Sequence, residues 1–253
     1  VETRTYDKLQ VNIADTGTEL GETAAELFAS RVKVELETHE TIGVILALGA
    51  AQADLFAALK ARDDIEWNRL DVLHVDVYMG IGDDDPRSGG ARMRRHLTDE
   101  VKPRNFYAMH GDTVPVEKEL ERYTEIYNRV QPVICVMGIG VTGHLAFIDP
   151  PADFGTASVM VAVPLAPATR QQIADGGIFS SLDEVPEYGL SLSIPALLAP
   201  KTVIALAHEP SKADAIQKML EEPVSIMLPA SKMKEHDDAH LFLSQDAAAK
   251  LSR

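Results

Sequence analysis

Residues 132–150 read PVICVMGIGVTGHLAFIDP. The first six form an apolar run that reads as a strand. Glycines 138, 140 and 143 then crowd around one histidine, His144, and Asp149 follows five positions later. A strand running into a glycine-rich loop is one unit of an alternating α/β chain, and the segments on both sides repeat that unit. Upstream, LQVNIAD (9–15) reads as a strand. TGTELGETAAELFASRVKVELET (16–38) reads as a helix with Leu20, Ala24, Leu27, Phe28 and Val32 on one face and acids near its start. IGVILALG (42–49) is continuously apolar, as a strand covered on both faces should be. AQADLFAALKAR (51–62) is helical, LDVLHVDVY (70–78) a strand, GARMRRHLTDEV (90–101) helical and NFYAMH (105–110) a short strand. VPVEKELERYTEIYNRV (114–130) is a helix with Val116, Leu120, Tyr123, Tyr127 and Val130 in register. Downstream, YGLSLSI, TVIALA and AHLFLS read as strands and SKADAIQKMLEE as a helix. Strand–helix alternation implies crossover connections and a mainly parallel sheet with helices on both faces.

The 253 residues suffice for a core that needs no staples. Hydrophobic residues at 45% and charged residues at 25% are ordinary for a globular chain. The net charge of −15 argues against a nucleic-acid or anionic-membrane surface, yet allows a small phosphate ligand held by a few local cations. No stretch approaches bilayer-spanning length, and VETRTYDKLQ, starting at Val1 rather than Met, shows no signal-peptide pattern. Cys135 is the only cysteine, which excludes an internal disulfide and zinc-type cysteine spacing; a reducing cytoplasm is the expected home.

Ligands of such folds bind beyond the carboxyl ends of the strands. After VILAL, Gly49 permits a close turn into a helix with free amides, and Ala50 and Ala51 follow; this is either an anion loop or a plain turn. After LDVLHV comes Asp76. A carboxylate ending a buried strand is desolvated and suits a general base; the competing reading is a loop-stabilising Asp. In 138–150, amides around Gly138, Gly140 and Gly143 can hold an oxyanion or hydroxyl, and His144 is the natural proton shuttle, with Asp149 able to fix its tautomer. The alternative is a histidine satisfying a loop carbonyl. Arg170 and Lys212 are cations placed either for a phosphate or in solvent. Lys212, near the start of a helix, is disfavoured by the macrodipole unless an anion binds there. Arg92 and Arg95 share a helical face, where they reach a ligand, pair with the acids at 83–85 or lie in solvent.

In order, LALGAAQADLFAAL, VDVYMGIGDDDPRS, MGIGVTGHLAFIDP, Thr169–Arg170, VPEYGLSLSIPALLAP, EPSKADAI and PVSIMLPAS resemble the family of glucosamine-6-phosphate deaminases (isomerases) and 6-phosphogluconolactonases, over almost the whole chain. The most specific part is MGIGVTGHLAFIDP, where the family usually shows Gly-x-Gly-x-Asp-Gly-His-x-Ala-Phe-x-Glu-Pro. The resemblance implies one Rossmann-like three-layer α/β/α sandwich over residues 1–253 and a sugar-phosphate ligand, with no metal or organic cofactor. It assigns Asp76 as the base between sugar carbons 1 and 2, His144 as the ring-opening group, Asp149 as its supporting acid, and Arg170 and Lys212 as phosphate cations. Isomerases of this type are oligomeric in many cases, although no interface signal stands out.

This chain departs from the pattern at several points. Thr142 stands where the family carries an acid, Val141 where Asn is usual, Val77 replaces the second acid of Asp-Glu-Tyr, and Ile148 replaces a frequent Asn. Ala50–Ala51 replaces a Ser-Thr pair, and Gln52 stands where Pro is common. Loss of two hydroxyls weakens phosphate binding by ~1 kcal/mol each. Three readings follow: an amino-sugar phosphate deaminase/isomerase, a lactonase-like hydrolase or isomerase of another sugar derivative, and a sugar-phosphate-binding protein without turnover. Asp76 favours the first, because lactone hydrolysis needs no base over carbon 2.

Overall fold

The computed structural model describes residues 1–252. In chain order the elements are β1 (Glu2–Tyr6), β2 (Leu9–Ala14), α1 (Gly17–Leu36), β3 (Ile42–Leu46), α2 (Gln52–Lys60), β4 (Leu70–Leu73), β5 (Asp76–Tyr78) and α3 (Gly89–Met93). A π-helical segment (Arg94–Thr98) leads to α4 (Asp99–Val101), β6 (Asn105–Tyr107), α5 (Glu117–Val130), β7 (Ile134–Gly138), β8 (Met160–Pro164) and α6 (Pro167–Asp175). The chain ends with β9 (Tyr188–Leu192), α7 (Ile194–Leu198), β10 (Thr202–Ala207), α8 (Ala213–Glu221) and β11 (Ala239–Ser244).

Eight strands form the main sheet in the order β1-β2-β11-β10-β7-β3-β4-β6. All its pairings are parallel except β1 with β2. The alternation of faces along β7 shows why its sequence is apolar throughout: Ile134 and Val136 pack toward α1 and α2, while Cys135 and Met137 pack toward α5 and α8. The layers are therefore helix, sheet and helix, as the alternating pattern predicts. α1 begins at Thr16, whose hydroxyl accepts from the Glu19 amide at 3.1 Å, while the Glu19 carboxylate accepts from the Asp15 amide at 2.8 Å. α1 lies close against α2: a side chain at Gly21 would come within 2.5 Å of the Asp54 backbone.

The reading of 70–78 as one strand is corrected. The chain leaves the main sheet after Leu73, and Asp76–Tyr78 joins a separate antiparallel sheet in the order β5-β9-β8. This small sheet packs on the α5 and α8 side through Val77, Met160, Leu190 and Leu192. Two residues, His74 and Val75, bridge the sheets.

The chain leaves β3 toward β4 and leaves β7 toward β10, in opposite directions across the sheet. Their shared boundary is the switch point, where a crevice must open beyond the strand ends.

Candidate active site

A cleft of about 480 Å³ occupies that crevice. Its walls come from the segments after β3 (Gly49 to Gln52), after β4 (His74 to Asp76), after β7 (Gly138 to Gly140) and after β10 (Glu209 and Lys212), with α6 along one side. Gly49, Ala50, Ala51, Asp76, Gly138, Gly140, His144 and Lys212 all line this one space.

His144 is held from one edge. Its Nδ1 lies 2.9 Å from the Thr142 hydroxyl, 3.1 Å from the Thr169 hydroxyl and 3.2 Å from Asp149 Oδ1. Both hydroxyls donate to Asp149 Oδ1, at 2.8 and 2.7 Å. Each has a single hydrogen, so each turns a lone pair to the ring. Nδ1 is therefore the protonated nitrogen, and Nε2 keeps its lone pair as a base. The imidazole lies flat across Gly140, where a Cβ would sit 1.9 Å from Cε1 and Nε2; only glycine leaves room for it. Gly143, at φ +75°, turns the loop, and Ala146 at φ 49° continues it along the cleft. Thr142, Gly143 and Asp149 sit behind the histidine, outside the cleft wall.

Burial works to raise the Asp149 carboxyl, but the His144 contact, the Thr169 hydroxyl and the Ala166 amide (3.0 Å) hold it down at about 2. Asp76 has the opposite environment. Its carboxylate has no hydrogen bond among the described residues, and burial pushes it up to about 7 against the opposing pull of Arg92. One acid is thus locked in the ionised form, and the other is poised near neutrality to take and return a proton.

The anion end is built differently from the expected hydroxyl pair. Lys212 is only 3% exposed and has no ion pair among the described residues; burial lowers its pKa, with Glu209 opposing. α2 follows Ala51 with no side-chain cap. The Gln52 and Ala53 amides donate to the Gly49 and Ala50 carbonyls at 3.1 and 3.2 Å, so the backbone donors that face the cleft there are those of the Ala50–Ala51 turn. Beneath this turn lies Gln52, 1% exposed, between Gly49 and Gly138. The two alanines leave the loop without hydroxyls, and Gln52 Nε2 lies beneath it as a buried donor without a partner among the described residues.

Two cation expectations change. Arg170 does not line the cleft: its Nη2 donates to the Leu182 carbonyl at 3.2 Å and the Val185 carbonyl at 2.8 Å, pinning the segment after α6. Arg92 does line it, half-buried and beside Asp76, while Arg94 takes the ion pair with Asp83 and Arg95 donates to the Pro86 carbonyl. Thr169, adjacent to Arg170 in sequence, proves the more intimate neighbour of His144.

A mainly parallel α/β sandwich thus gathers an imidazole, a desolvated carboxyl and a buried lysine in one cleft at its switch point. The chain belongs to the family of glucosamine-6-phosphate isomerases/6-phosphogluconolactonases, whose sequence profile matches residues 15–242. It is 30% identical over 245 residues to a glucosamine-6-phosphate deaminase of Lacticaseibacillus paracasei, covering 97% of this chain and all of that enzyme. A glucosamine-6-phosphate deaminase of Lactobacillus delbrueckii subsp. bulgaricus is also 30% identical, over 96% of this chain and its own whole length. Among solved structures, a monomeric glucosamine-6-phosphate deaminase superposes with a TM-score of 0.87 at 27% identity, covering 94% of this chain and 98% of that one. The 6-phosphogluconolactonase of Thermotoga maritima shares the fold, with a TM-score of 0.74 at 19% identity, covering 94% of this chain and all of that one.

Proposed function

We propose that residues 1–253 form one enzymatic unit that converts an aldose amino-sugar phosphate, of the glucosamine 6-phosphate type, into a ketose phosphate with loss of ammonia. The observation that carries this reading is the meeting of His144, Asp76 and Lys212 in one cleft. Lys212 and the Ala50–Ala51 turn hold the phosphate, with Gln52 supporting that turn from beneath. The phosphate's binding energy then positions the distant reacting carbons. His144 Nε2 takes the proton of the carbon-1 hydroxyl as the bond from carbon 1 to the ring oxygen breaks, and returns it to the ring oxygen. The open-chain aldehyde now acidifies carbon 2. Asp76 removes that proton, the electron pair forms a carbon 1–carbon 2 double bond and the carbonyl pair moves onto oxygen 1; the same proton is then returned to carbon 1, while oxygen 1 takes a proton from the 2-amino group. The resulting carbon-2 imine adds water and releases ammonia. Relatives at 30% identity named as deaminases support this choice over lactone hydrolysis, in which Asp76 would have no carbon-bound proton to take.

The test is made on purified protein with glucosamine 6-phosphate and, in parallel, 6-phosphogluconolactone. Ammonia and fructose 6-phosphate are the expected products, with no accelerated lactone hydrolysis. Lactone hydrolysis alone replaces the reading with a hydrolase. Ligand-induced thermal stabilisation without turnover of either compound replaces it with a binding protein.

A further inference from the structure

The short bridge between the two sheets places a second imidazole in the cleft. His74 is 3% exposed, sits two residues before Asp76 and lines the same space. Its surroundings fix both its position and its tautomer. The His74 backbone amide donates to the Tyr123 hydroxyl at 2.9 Å, and the ring lies edge-on to Tyr123 and against Phe106. Nε2 accepts the Met109 amide hydrogen at 2.6 Å. A nitrogen that accepts a backbone N–H carries no hydrogen, so the neutral ring keeps its hydrogen on Nδ1. Burial holds the ring neutral, with its pKa down at about 3. Among the described residues Nδ1 has no hydrogen-bond partner, and the neighbour over that edge is Gly89, itself part of the cleft wall. A Cβ at Gly89 would lie 3.1 Å from both Nδ1 and Cε1. The missing side chain at 89 is what keeps the N–H open.

We propose that His74 is a fixed hydrogen-bond donor to the substrate oxygen on carbon 1, stabilising the negative charge that collects there while Asp76 takes the carbon-2 proton. This role rests on the deaminase/isomerase reading above. In that step the carbon 2–hydrogen bond breaks, its pair forms the carbon 1–carbon 2 double bond, and the carbonyl pair moves onto oxygen 1. His74 keeps its own hydrogen throughout. A neutral donor suits such a step because it accompanies the growing charge without handing over a proton. It also needs no reorganisation, since the ring is held in place in advance. The proton shuttle is then His144 alone, and His74 and His144 have separate duties.

Gly89→Ala provides the discriminating variant. It shields Nδ1 while leaving the Met109 bond intact; because its Cβ would also lie 3.2 Å from the Asp76 carbonyl oxygen, a lower rate counts for His74 only together with the ligand-induced movement of its own Nδ1–H signal. Removing one oxyanion donor costs about 10²–10³ in rate. Gly89→Ala should therefore lower kcat for glucosamine 6-phosphate by at least about tenfold, with KM changed far less. In protein labelled with ¹⁵N-histidine, His74 should show a protonated Nδ1 and a bare Nε2, and the Nδ1–H signal should move when 2-amino-2-deoxyglucitol 6-phosphate is added. Full kcat in Gly89→Ala, a hydrogen on Nε2, or a signal that stays still while the probe binds overturns the role of His74 and leaves the function reading standing. A wild-type protein that releases no ammonia brings down the function reading, and this role with it.

Discussion

Two carboxylates at one site are driven in opposite directions, and each leaves a measurable trace. Asp76 has a folded value of about 7 against an ordinary 3.8, because burial penalises its charge. Between those values the folded chain binds the extra proton, so the contribution of this residue to stability falls as pH rises through that window. Asp76→Asn removes the penalty. The variant should match wild type near pH 4 and become the more stable of the two by about pH 8. Urea midpoints across that range check this, and parallel curves would mean that the carboxylate is not desolvated. In turnover the same variant should lose solvent-deuterium exchange at carbon 2 by ~10²–10⁴, the usual contribution of a general base. Thr142 tests the other acid. Its hydroxyl bridges Asp149 and His144, so Thr142→Val deletes a bond worth ~1 kcal/mol and loosens the ring. Turnover of cyclic glucosamine 6-phosphate should fall several-fold, while the reverse reaction from open-chain fructose 6-phosphate and ammonium should fall less. Equal losses in both directions would remove Thr142 from ring opening.

The loop after β7 and the turn into α2 meet at two glycines, which differ in how little room each leaves. Gly140→Ala drives a methyl into the His144 ring and should cost ~1–3 kcal/mol of stability along with the cyclic-substrate activity. At Gly138 an added methyl would sit 3.4 Å from Gln52 Nε2, so Gly138→Ala should leave the urea midpoint nearly unchanged. Much of this element-level arrangement is legible in the sequence. The apolar runs at 42–49, 132–137 and 202–207 mark the buried parallel strands, and their ends mark the cleft. β1 is not legible because ETRTY is polar and largely exposed, and it is held by pairing with β2 rather than by burial. The break within 70–78 is hidden because both halves are buried, so the hydrophobic pattern runs straight through the bend. Arg170 misleads for a related reason: a cation beside a motif and a cation that ties down a loop look the same until the carbonyls of residues 182 and 185 are located. Gln52 and His74 are placed by neighbours far along the chain, Gly138 for the first and Met109 and Tyr123 for the second, which no local pattern encodes.

At the scale of the whole molecule, a net charge of −15 surrounds a cleft whose buried lysine has no ion-pair partner among the described residues. Burying Lys212 without an anion works against the empty fold, and its lowered pKa is the sign of that cost. Lys212→Met should therefore raise the melting temperature of the ligand-free protein while abolishing most of the stabilisation that glucosamine 6-phosphate confers, as expected where stability has been traded for binding. Differential scanning calorimetry with and without the sugar phosphate measures both effects, and an unchanged ligand-induced shift would take Lys212 out of the phosphate site. The bend at His74 and Val75 has one more outcome. It puts Asp76 on the small sheet, while Lys212 and the α2 turn belong to the large one. If the proposed roles hold, the two sheets are the jaws of a caliper, one carrying the base and the other the phosphate cation. On that reading a sugar phosphate one carbon shorter should still bind, as calorimetry would show, but should not exchange its carbon-2 proton.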